Sequence, residues 1–290
     1  MQQRKLSVFA WQISILLLTL VVWQWAADLR RIDSLKPFVP TIMEPYYISK
    51  PSLVWDSFLR LGCLRDDKGV WLIGSGFAQC LKDRENNLWA ATLYTLKNTW
   101  WGFVFGTLLG VAAGLVLGRS DYLTRIFGPY ITALNSMPRI AIVPLIILMF
   151  GLGDMSKIVT AITVVFFVVF YNTFEGTRAV DRDQVSAARL LGANEWTVLR
   201  TVVVPSAIAW VFAALTPAVS FALIGVIVGE FIGAERGIGK LIIEAEGRAN
   251  AADMMVAILV LMVVGTALSV GVRRLQSSLL SWQPQFEARS

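Results

Sequence analysis

The sequence has no histidine among its 290 residues, and it has only two cysteines. Without histidine there is no imidazole for acid–base catalysis, for metal ligation or for activating a serine or cysteine nucleophile. Two cysteines cannot build a zinc or iron–sulfur centre on their own. We therefore expect no metal site, no catalytic residue and no cofactor bound by this chain.

Charge is also scarce, because charged residues make up 16% of the chain while hydrophobic residues make up 56%. A water-soluble domain of this size could not bury so much apolar surface, so the composition predicts an integral membrane protein. The net charge of +6 is then explained by the Lys and Arg of cytoplasmic loops. We expect the lipid bilayer as the surroundings of this chain, and no nucleic acid as a partner.

Long apolar segments define the predicted architecture, since a membrane span needs about 20 mostly apolar residues. The first candidate follows Arg4 and Lys5 as a signal peptide would, but it lacks a small-residue cleavage site and is interpreted as a retained helix. Pro138 is expected to make the third span irregular, and Pro217 is expected to kink the fifth. The sequence thus predicts an all-α integral membrane protein with six transmembrane helices, at residues 7–27, 99–118, 130–152, 158–174, 203–232 and 254–272.

The distribution of Lys and Arg over the short loops predicts the orientation in the membrane. An amino terminus inside leaves few basic residues in the short outer loops, namely Lys157, Arg236, Lys240 and Arg248. The remaining short loops then carry the basic residues of the cytoplasmic side, such as Arg119, Arg125, Arg178, Arg182, Arg189, Arg200, Arg273 and Arg274. Both termini are therefore predicted to be cytoplasmic, in a multi-pass membrane protein.

Three regions follow from this topology. Residues 1–27 form the cytoplasmic amino terminus and the first span, and residues 28–91 form a periplasmic segment. Residues 92–290 form a core of five spans that includes a cytoplasmic loop at residues 175–204. In the periplasmic segment, Pro37, Pro40, Pro45 and Pro51 are expected to break any long helix.

The periplasmic segment contains both cysteines, in a charged excursion at residues 63–88. An outward position exposes Cys63 and Cys80 to an oxidising compartment, where they could form a disulfide. The alternative of two unpaired thiols stays open, because a sequence does not show whether their geometry suits a bond.

Glycine recurs at every fourth residue in the second span, and the same spacing returns in the fifth span. Such small-residue stripes let another helix approach closely, so they predict helix packing rather than ligand contact. The stripes comprise Gly102, Gly106, Gly110, Gly114 and Gly118, and then Gly225, Gly229 and Gly233.

The cytoplasmic loop between the fourth and fifth spans has the pattern of a short amphipathic helix. Asp181 or Asp183 can cap its start, and Gly192 suits a left-handed stop. A second helical piece is expected to begin at Asn194 or the residue before it, and Pro205 follows at the entry to the membrane.

This loop resembles the EAA loop of binding-protein-dependent ABC importer permeases. The resemblance rests on the triplet Ser186-Ala187-Ala188, on Gly192, and on the ending Val202, Val204 and Pro205. In that family the first position is Glu, whereas this chain has Ser186, which removes an ionic contact there. Further stretches are similar to permeases for nitrate, taurine and aliphatic sulfonates, at residues 48–54, 135–144, 150–158, 172–181 and 229–241.

The resemblance implies a type I ABC importer permease fold and a pathway for a small solute, such as nitrate, a sulfonate or a related organic acid. It implies a second copy of this chain, two ATP-binding-cassette ATPase subunits and a periplasmic substrate-binding protein as partners. ATP and Mg would bind to the ATPase, in agreement with the lack of a Gly-rich phosphate loop here. The residues implied to contact the ATPase are Ser186, Ala187, Ala188, Arg189, Leu190, Gly192, Ala193 and Pro205.

Polar residues within the spans are candidates for the pathway or a gate, because such groups are costly in lipid. They are Asn135, Ser136 and Arg139, with Met137 beside them, near the start of the third span, and Glu230 near the outer end of the fifth. For the residues near the start of the third span, the alternative is a capped helix start. For Glu230, the alternative is a position at the membrane interface. A stand-alone secondary transporter or channel is the alternative function, although the sequence shows no convincing internal repeat.

Overall fold

The computed structural model describes residues 2–29, 49–66, 68–83, 86–233 and 235–279. Within these ranges the ordered backbone is helical, apart from one antiparallel bridge between Arg65 and Trp71. Residue 48, residues 280–290 and three of the prolines expected to break helices, Pro37, Pro40 and Pro45, lie outside the described residues.

The α-helices of the described ranges are numbered in chain order. Two of the connections between these helices are short irregular turns, a 3₁₀ turn at Arg139–Ile142 and a π turn at Leu199–Val203. The helices are α1 Gln2–Leu29, α2 Pro51–Leu61, α3 Ser75–Asp83, α4 Leu88–Arg119, α5 Asp121–Ser136, α6 Val143–Phe150, α7 Asp154–Arg178, α8 Arg182–Leu190, α9 Glu195–Val198, α10 Val204–Gly233, α11 Ile238–Gly247 and α12 Ala251–Leu279.

Within the described residues, four helical segments are long and apolar enough to cross a membrane, and a fifth counts if α5 and α6 are taken together as one bent span. The four are α4, α7, the run Glu195–Gly233 and α12. In α1 the apolar part is shorter and covers Ala10–Trp25. The all-helical membrane architecture is therefore confirmed, and the sixth span remains a prediction.

The irregularity expected at Pro138 in the third predicted span, residues 130–152, takes the form of a sharp break in the helix. The chain bends by 87° between α5 and the segment Arg139–Phe150. The bend follows from Pro138, which has no N–H to donate and disfavours helical geometry in the residue before it. Met137 accordingly has extended backbone angles, with φ −73° and ψ 131°. By contrast, Pro217 lies inside α10 without ending it.

Contacts divide the chain into two compact units, residues 1–91 with 240–261 and residues 92–239 with 262–290. In the second unit, α7 packs against both α4 and α10. The hydrophobic core of this packing comprises Phe103, Ala161, Val165, Val169, Ala214, Ala218, Val219, Ala222 and Val226.

The packing predicted for the glycine stripes is confirmed. The α4 stripe faces α7 along its length, and Gly225 and Gly229 of the α10 stripe also face α7, whereas Gly233 lies against Leu152. A Cβ atom at Gly102 would lie 2.3 Å from the Cβ atom of Ala161, and one at Gly225 would lie 2.9 Å from the Cα atom of the same alanine. Along α4, the glycines meet side chains that also recur at every fourth residue, namely Ala161, Val165, Val169, Thr173 and Thr177. Only glycine allows the backbones to approach this closely.

In the first unit, α2 begins at Pro51 instead of being broken by it, because the first N–H of a helix has no partner to lose. A disulfide joins Cys63 to Cys80, with the two Cα atoms 5.8 Å apart, and thereby links the end of α2 to α3.

Candidate coupling segment and solute cavity

The coupling segment, residues 181–205, begins with α8, whose two ends are fixed by local hydrogen bonds. The carboxylate of Asp181 accepts from the backbone N–H of Asp183 at 2.9 Å, so Asp181 is the cap. At the other end, Gly192 has φ +86°. Its N–H donates to the carbonyl of Arg189 at 2.9 Å, and the N–H of Ala193 donates to Ala188 at 3.1 Å. This is a Schellman motif, so the left-handed stop predicted at Gly192 is confirmed.

The second piece of the coupling segment begins at Asn194, also as predicted. The side chain of Asn194 accepts from the backbone N–H of Thr197 at 2.8 Å and caps α9. The π turn Leu199–Val203 then leads directly into α10, in which Pro205 is the second residue. A proline removes one helical hydrogen bond, and the wider turn before it is a usual form of adjustment.

Large apolar side chains of the coupling segment are exposed. Leu190 and Leu191 are 88% and 89% exposed, and Trp196 is 69% exposed. Ser186 and Ala187 are exposed as well, while Ala188 is partly buried. Exposed apolar groups clustered on an ordered helix mark a surface for another protein or for a membrane.

Glu195 connects α9 to α8 and to the end of α4 through ion pairs, and the sequence did not predict this function. Its carboxylate accepts from the Nε atom of Arg189 in α8 at 3.0 Å, and it also pairs with Arg119 at the end of α4. Arg119 lies 76 residues before Glu195, and no pattern in the sequence connects the two residues. Trp196 was missed as well, although a large aromatic in a predicted cytoplasmic helix is a signal that could have found it.

A cavity of about 290 Å³ lies beside the bend that follows α5. Of the predicted pathway residues near this bend, Met137 lines the cavity. Asn135 and Ser136 instead form hydrogen bonds with neighbouring residues of the chain. Asn135 accepts from Arg139, and the hydroxyl of Ser136 donates to the carbonyl of Thr132 at 2.9 Å. The lining residues are Met137, Pro138, Arg139, Ile140, Val143, Thr160, Val164, Phe221, Ile224, Gly225 and Val228.

Arg139 carries the charge of this otherwise largely apolar lining. Its guanidinium lies 5.2 Å from the centre of the Phe167 ring, within the range of a cation–π contact. Arg139 and Met137 also line a second cavity of about 280 Å³. A fixed positive charge between two apolar cavities can attract a small anion, because electrostatic attraction is stronger where water is scarce.

Glu230 is 2% exposed and is not among the residues that line the first cavity. Its carboxylate accepts from the hydroxyl of Thr95 at 2.8 Å and from the N–H of Gly239 at 2.8 Å. A Cβ atom at Gly237, which has φ +116°, would lie 2.3 Å from the Glu230 carboxyl carbon. Glu230 therefore holds the turn between α10 and α11 against α4, instead of facing lipid or water.

Lys157 is also fully buried, although the count of basic residues had assigned it to a short outer loop. Its ammonium group donates to the carbonyl of Gly233 at 2.9 Å and also to the carbonyl of Leu152. The start of α7 is thereby tied to the end of α10. Because these partners are backbone carbonyls, the sequence alone carries no signal for them.

Comparison with known proteins defines the family. Residues 106–281 match the family described as the binding-protein-dependent transport system inner membrane component. A putative aliphatic sulfonates transport permease of Bacillus subtilis is 31% identical over 64% of this chain and 67% of its own length. A riboflavin transport system permease of Chloroflexus aurantiacus is 31% identical over 73% of this chain and 78% of its own. The taurine transport system permease of Escherichia coli is 27% identical, over 69% and 73%.

Solved structures share the fold. Inward-facing conformations of the MetNI methionine ABC transporter match with a TM-score of 0.58 at 17% identity, over 70% of this chain and 97% of theirs. An amino acid ABC transporter matches with a TM-score of 0.54 at 19% identity, over 73% of this chain and 100% of its own. A broken-helix membrane bundle with an ordered loop before α10 is thus the fold of an ABC importer permease. The chain belongs to the family of binding-protein-dependent transport system inner membrane components, and it is the permease subunit of an ABC importer.

Proposed function

We propose that the coupling segment docks on a separate ATPase subunit and passes its movement to α10. The observation that carries this proposal is the exposure of Leu190, Leu191 and Trp196 on a segment whose ends are capped. Nearly complete exposure of two leucines favours a partner that covers them, since apolar side chains gain free energy when they leave water. ATP and Mg would bind to the partner, not to this chain.

The coupling segment is connected to α10 by ordered elements that could transmit its movement. α8 is joined through the Arg189–Glu195 ion pair to α9, and α9 continues through the π turn into α10. A push on α8 would therefore reach α10 without crossing a loose loop. Two arrangements of the helix bundle, biased by ATP, would give the alternating access of an importer.

Two copies of this chain with two ATPase subunits, supplied by a periplasmic binding protein, form the proposed importer. The six-span topology with both termini in the cytoplasm belongs to this proposal. A surface for the second copy is available on α6, where Leu145, Leu148 and Met149 are exposed.

The proposed solute is a small anion such as a sulfonate, nitrate or a related organic acid. Arg139 supports an anion because it adds a positive charge to both cavities at the bend. The relatives named for aliphatic sulfonates and taurine agree with this charge. The relative named for riboflavin indicates that larger organic solutes pass through similar permeases.

Co-purification from detergent tests the docking surface. Leu190→Glu adds a charge to an exposed side chain, so the chain should fold while the ATPase that co-purifies with the wild type is lost. Gln184→Glu, which adds the same charge to another exposed position of α8, should retain it. An ATPase retained equally by both variants contradicts the proposal. Solute transport in vesicles by the chain alone, without ATP, would support the secondary transporter instead.

A further inference from the structure

Helix α2 is tied at both ends to helices of the membrane bundle. Lys50, just before α2, forms an ion pair with Asp28 in the last turn of α1. Arg60, in the last turn of α2, pairs with Asp253 in the first turn of α12 at 2.7 Å. The end of α1 and the start of α12 lie on the same side of the membrane in the six-span topology. In that topology, on which this inference rests as part of the proposed function, helix α2 would lie along the membrane surface between them.

The excursion at residues 63–88, of which residues 67, 84 and 85 lie outside the described ranges, is fixed beside the start of α4. The carbonyl of Gly62 accepts from the indole N–H of Trp89, in the first turn of α4, at 2.9 Å. The chain then forms a short hairpin in which the N–H of Leu72 donates to the carbonyl of Leu64 at 3.0 Å. The Cys63–Cys80 disulfide closes the excursion. The Trp89 hydrogen bond and the disulfide thus hold the excursion close to the first turn of α4.

The hairpin presents two large apolar side chains on one face. Leu72 packs towards α3, since a Cβ atom at Gly76 would lie 3.3 Å from its Cδ2 atom. Side chains alternate along an extended segment, so Trp71 and Ile73 face away from α3. They are 60% and 84% exposed. Lys68 and Lys82, at the tip of the hairpin and near the end of α3, are exposed as well.

We propose that the excursion is a membrane-surface element, with Trp71 and Ile73 inserted into the interfacial region of the bilayer. Tryptophan is enriched at this depth, where its ring is apolar and its N–H reaches the headgroups. Lysines beside an inserted apolar face are attracted to anionic headgroups. The occupant is lipid because the contacts of Gly62 and Arg60 place the hairpin beside the starts of α4 and α12, two helices that are long and apolar enough to cross a membrane.

A spin label at residue 73 measures the insertion. Cys63 and Cys80 are bonded to each other, so the thiol introduced by Ile73→Cys is the one that reacts without reductant. The labelled full-length protein is reconstituted in vesicles of phosphatidylethanolamine and phosphatidylglycerol. We expect the label to collide more often with oxygen than with a water-soluble nickel chelate. The matched control, Gln79→Cys on exposed α3, should show the reverse.

A second measurement avoids any change at Ile73. Brominated lipids quench tryptophans that contact acyl chains, so the wild type should lose more fluorescence on bromination than Trp71→Phe does. Equal quenching of the two proteins, or a label at residue 73 that collides mainly with the nickel chelate, overturns the proposal. Shielding of that label only after the periplasmic binding protein is added would also overturn it, in favour of a protein partner.

Discussion

The carboxylate of Glu230 connects α4 with the turn that follows α10. It accepts from Thr95, 135 residues away, and from Gly239, 9 residues away. Thr95 in turn accepts from the N–H of Ile238 at 3.0 Å. A buried polar group without a partner costs about 1–3 kcal/mol, so each member of this cluster depends on the others.

Glu230→Ala should lower thermal stability in detergent more than Glu230→Gln does. The alanine leaves the Gly239 N–H and the Thr95 hydroxyl without an acceptor and opens a cavity, at a cost of about 1–3 kcal/mol. The glutamine keeps an oxygen acceptor in nearly the same shape. Glu175→Ala, at an exposed position, is the control and should melt as the wild type does. Equal melting temperatures for the Ala and Gln variants would show that the cluster contributes little.

Arg139 is the residue on which the proposed anion selectivity depends. Arg139→Gln removes a charge-assisted contact worth about 1.5–3 kcal/mol, so uptake of an alkanesulfonate by the reconstituted importer should fall about tenfold or more. Arg139→Lys keeps the charge and should retain part of the rate. Co-purification of the ATPase, measured beside uptake, should be unchanged in both variants. Unchanged uptake in Arg139→Gln would exclude a function in the pathway.

At the scale of helices, α7 is the element around which the second unit is built. It receives the glycines of α4 on one side and Gly225 of α10 on the other, with Ala161 between them. Without a hydrophobic driving force between helices in lipid, this close backbone approach supplies the packing energy.

Gly102→Ala should therefore destabilise the protein, because the new Cβ would lie 2.3 Å from that of Ala161. Such overpacking costs about 1–3 kcal/mol, measurable as a lower melting temperature in detergent. The matched control is Gly271→Ala in α12, where nothing lies within 4 Å of the added atom. Similar melting of the two variants would contradict the packing assigned to the stripe.

Helix positions and local stops could be predicted from the sequence because they depend on neighbouring residues. The caps at Asp181 and Asn194 and the stop at Gly192 are of this kind, and so are the glycine stripes. The partners of those stripes, of Glu230 and of Lys157 could not be predicted, since the contacts are made by residues far along the chain or by backbone carbonyls. The sharp bend at Pro138 was indicated only as an irregularity, because a proline alone does not set the direction of the next helix.

For the whole molecule, the topology can be tested with single cysteines and a membrane-impermeant maleimide. Gln79→Cys should react in intact spheroplasts, because the excursion is proposed to be periplasmic. Leu191→Cys should react only after permeabilisation, because the coupling segment is proposed to be cytoplasmic. The wild type is the control for background labelling, since Cys63 and Cys80 are joined in a disulfide. Labelling of both variants from outside would contradict the six-span topology.

The run Glu195–Gly233 contains 39 residues of nearly continuous helix. At about 1.5 Å per residue it is about 58 Å long, almost twice the roughly 30 Å of a bilayer's hydrocarbon core. One end is the coupling segment, and the other carries Glu230 and the carbonyl that binds Lys157. In the proposed coupling mechanism, a tilt imposed at Glu195 would also displace the Glu230 cluster, because both lie on the same nearly continuous helix. A variant that makes the π turn more flexible should delay the movement of the Glu230 end of the run relative to the movement of the Glu195 end.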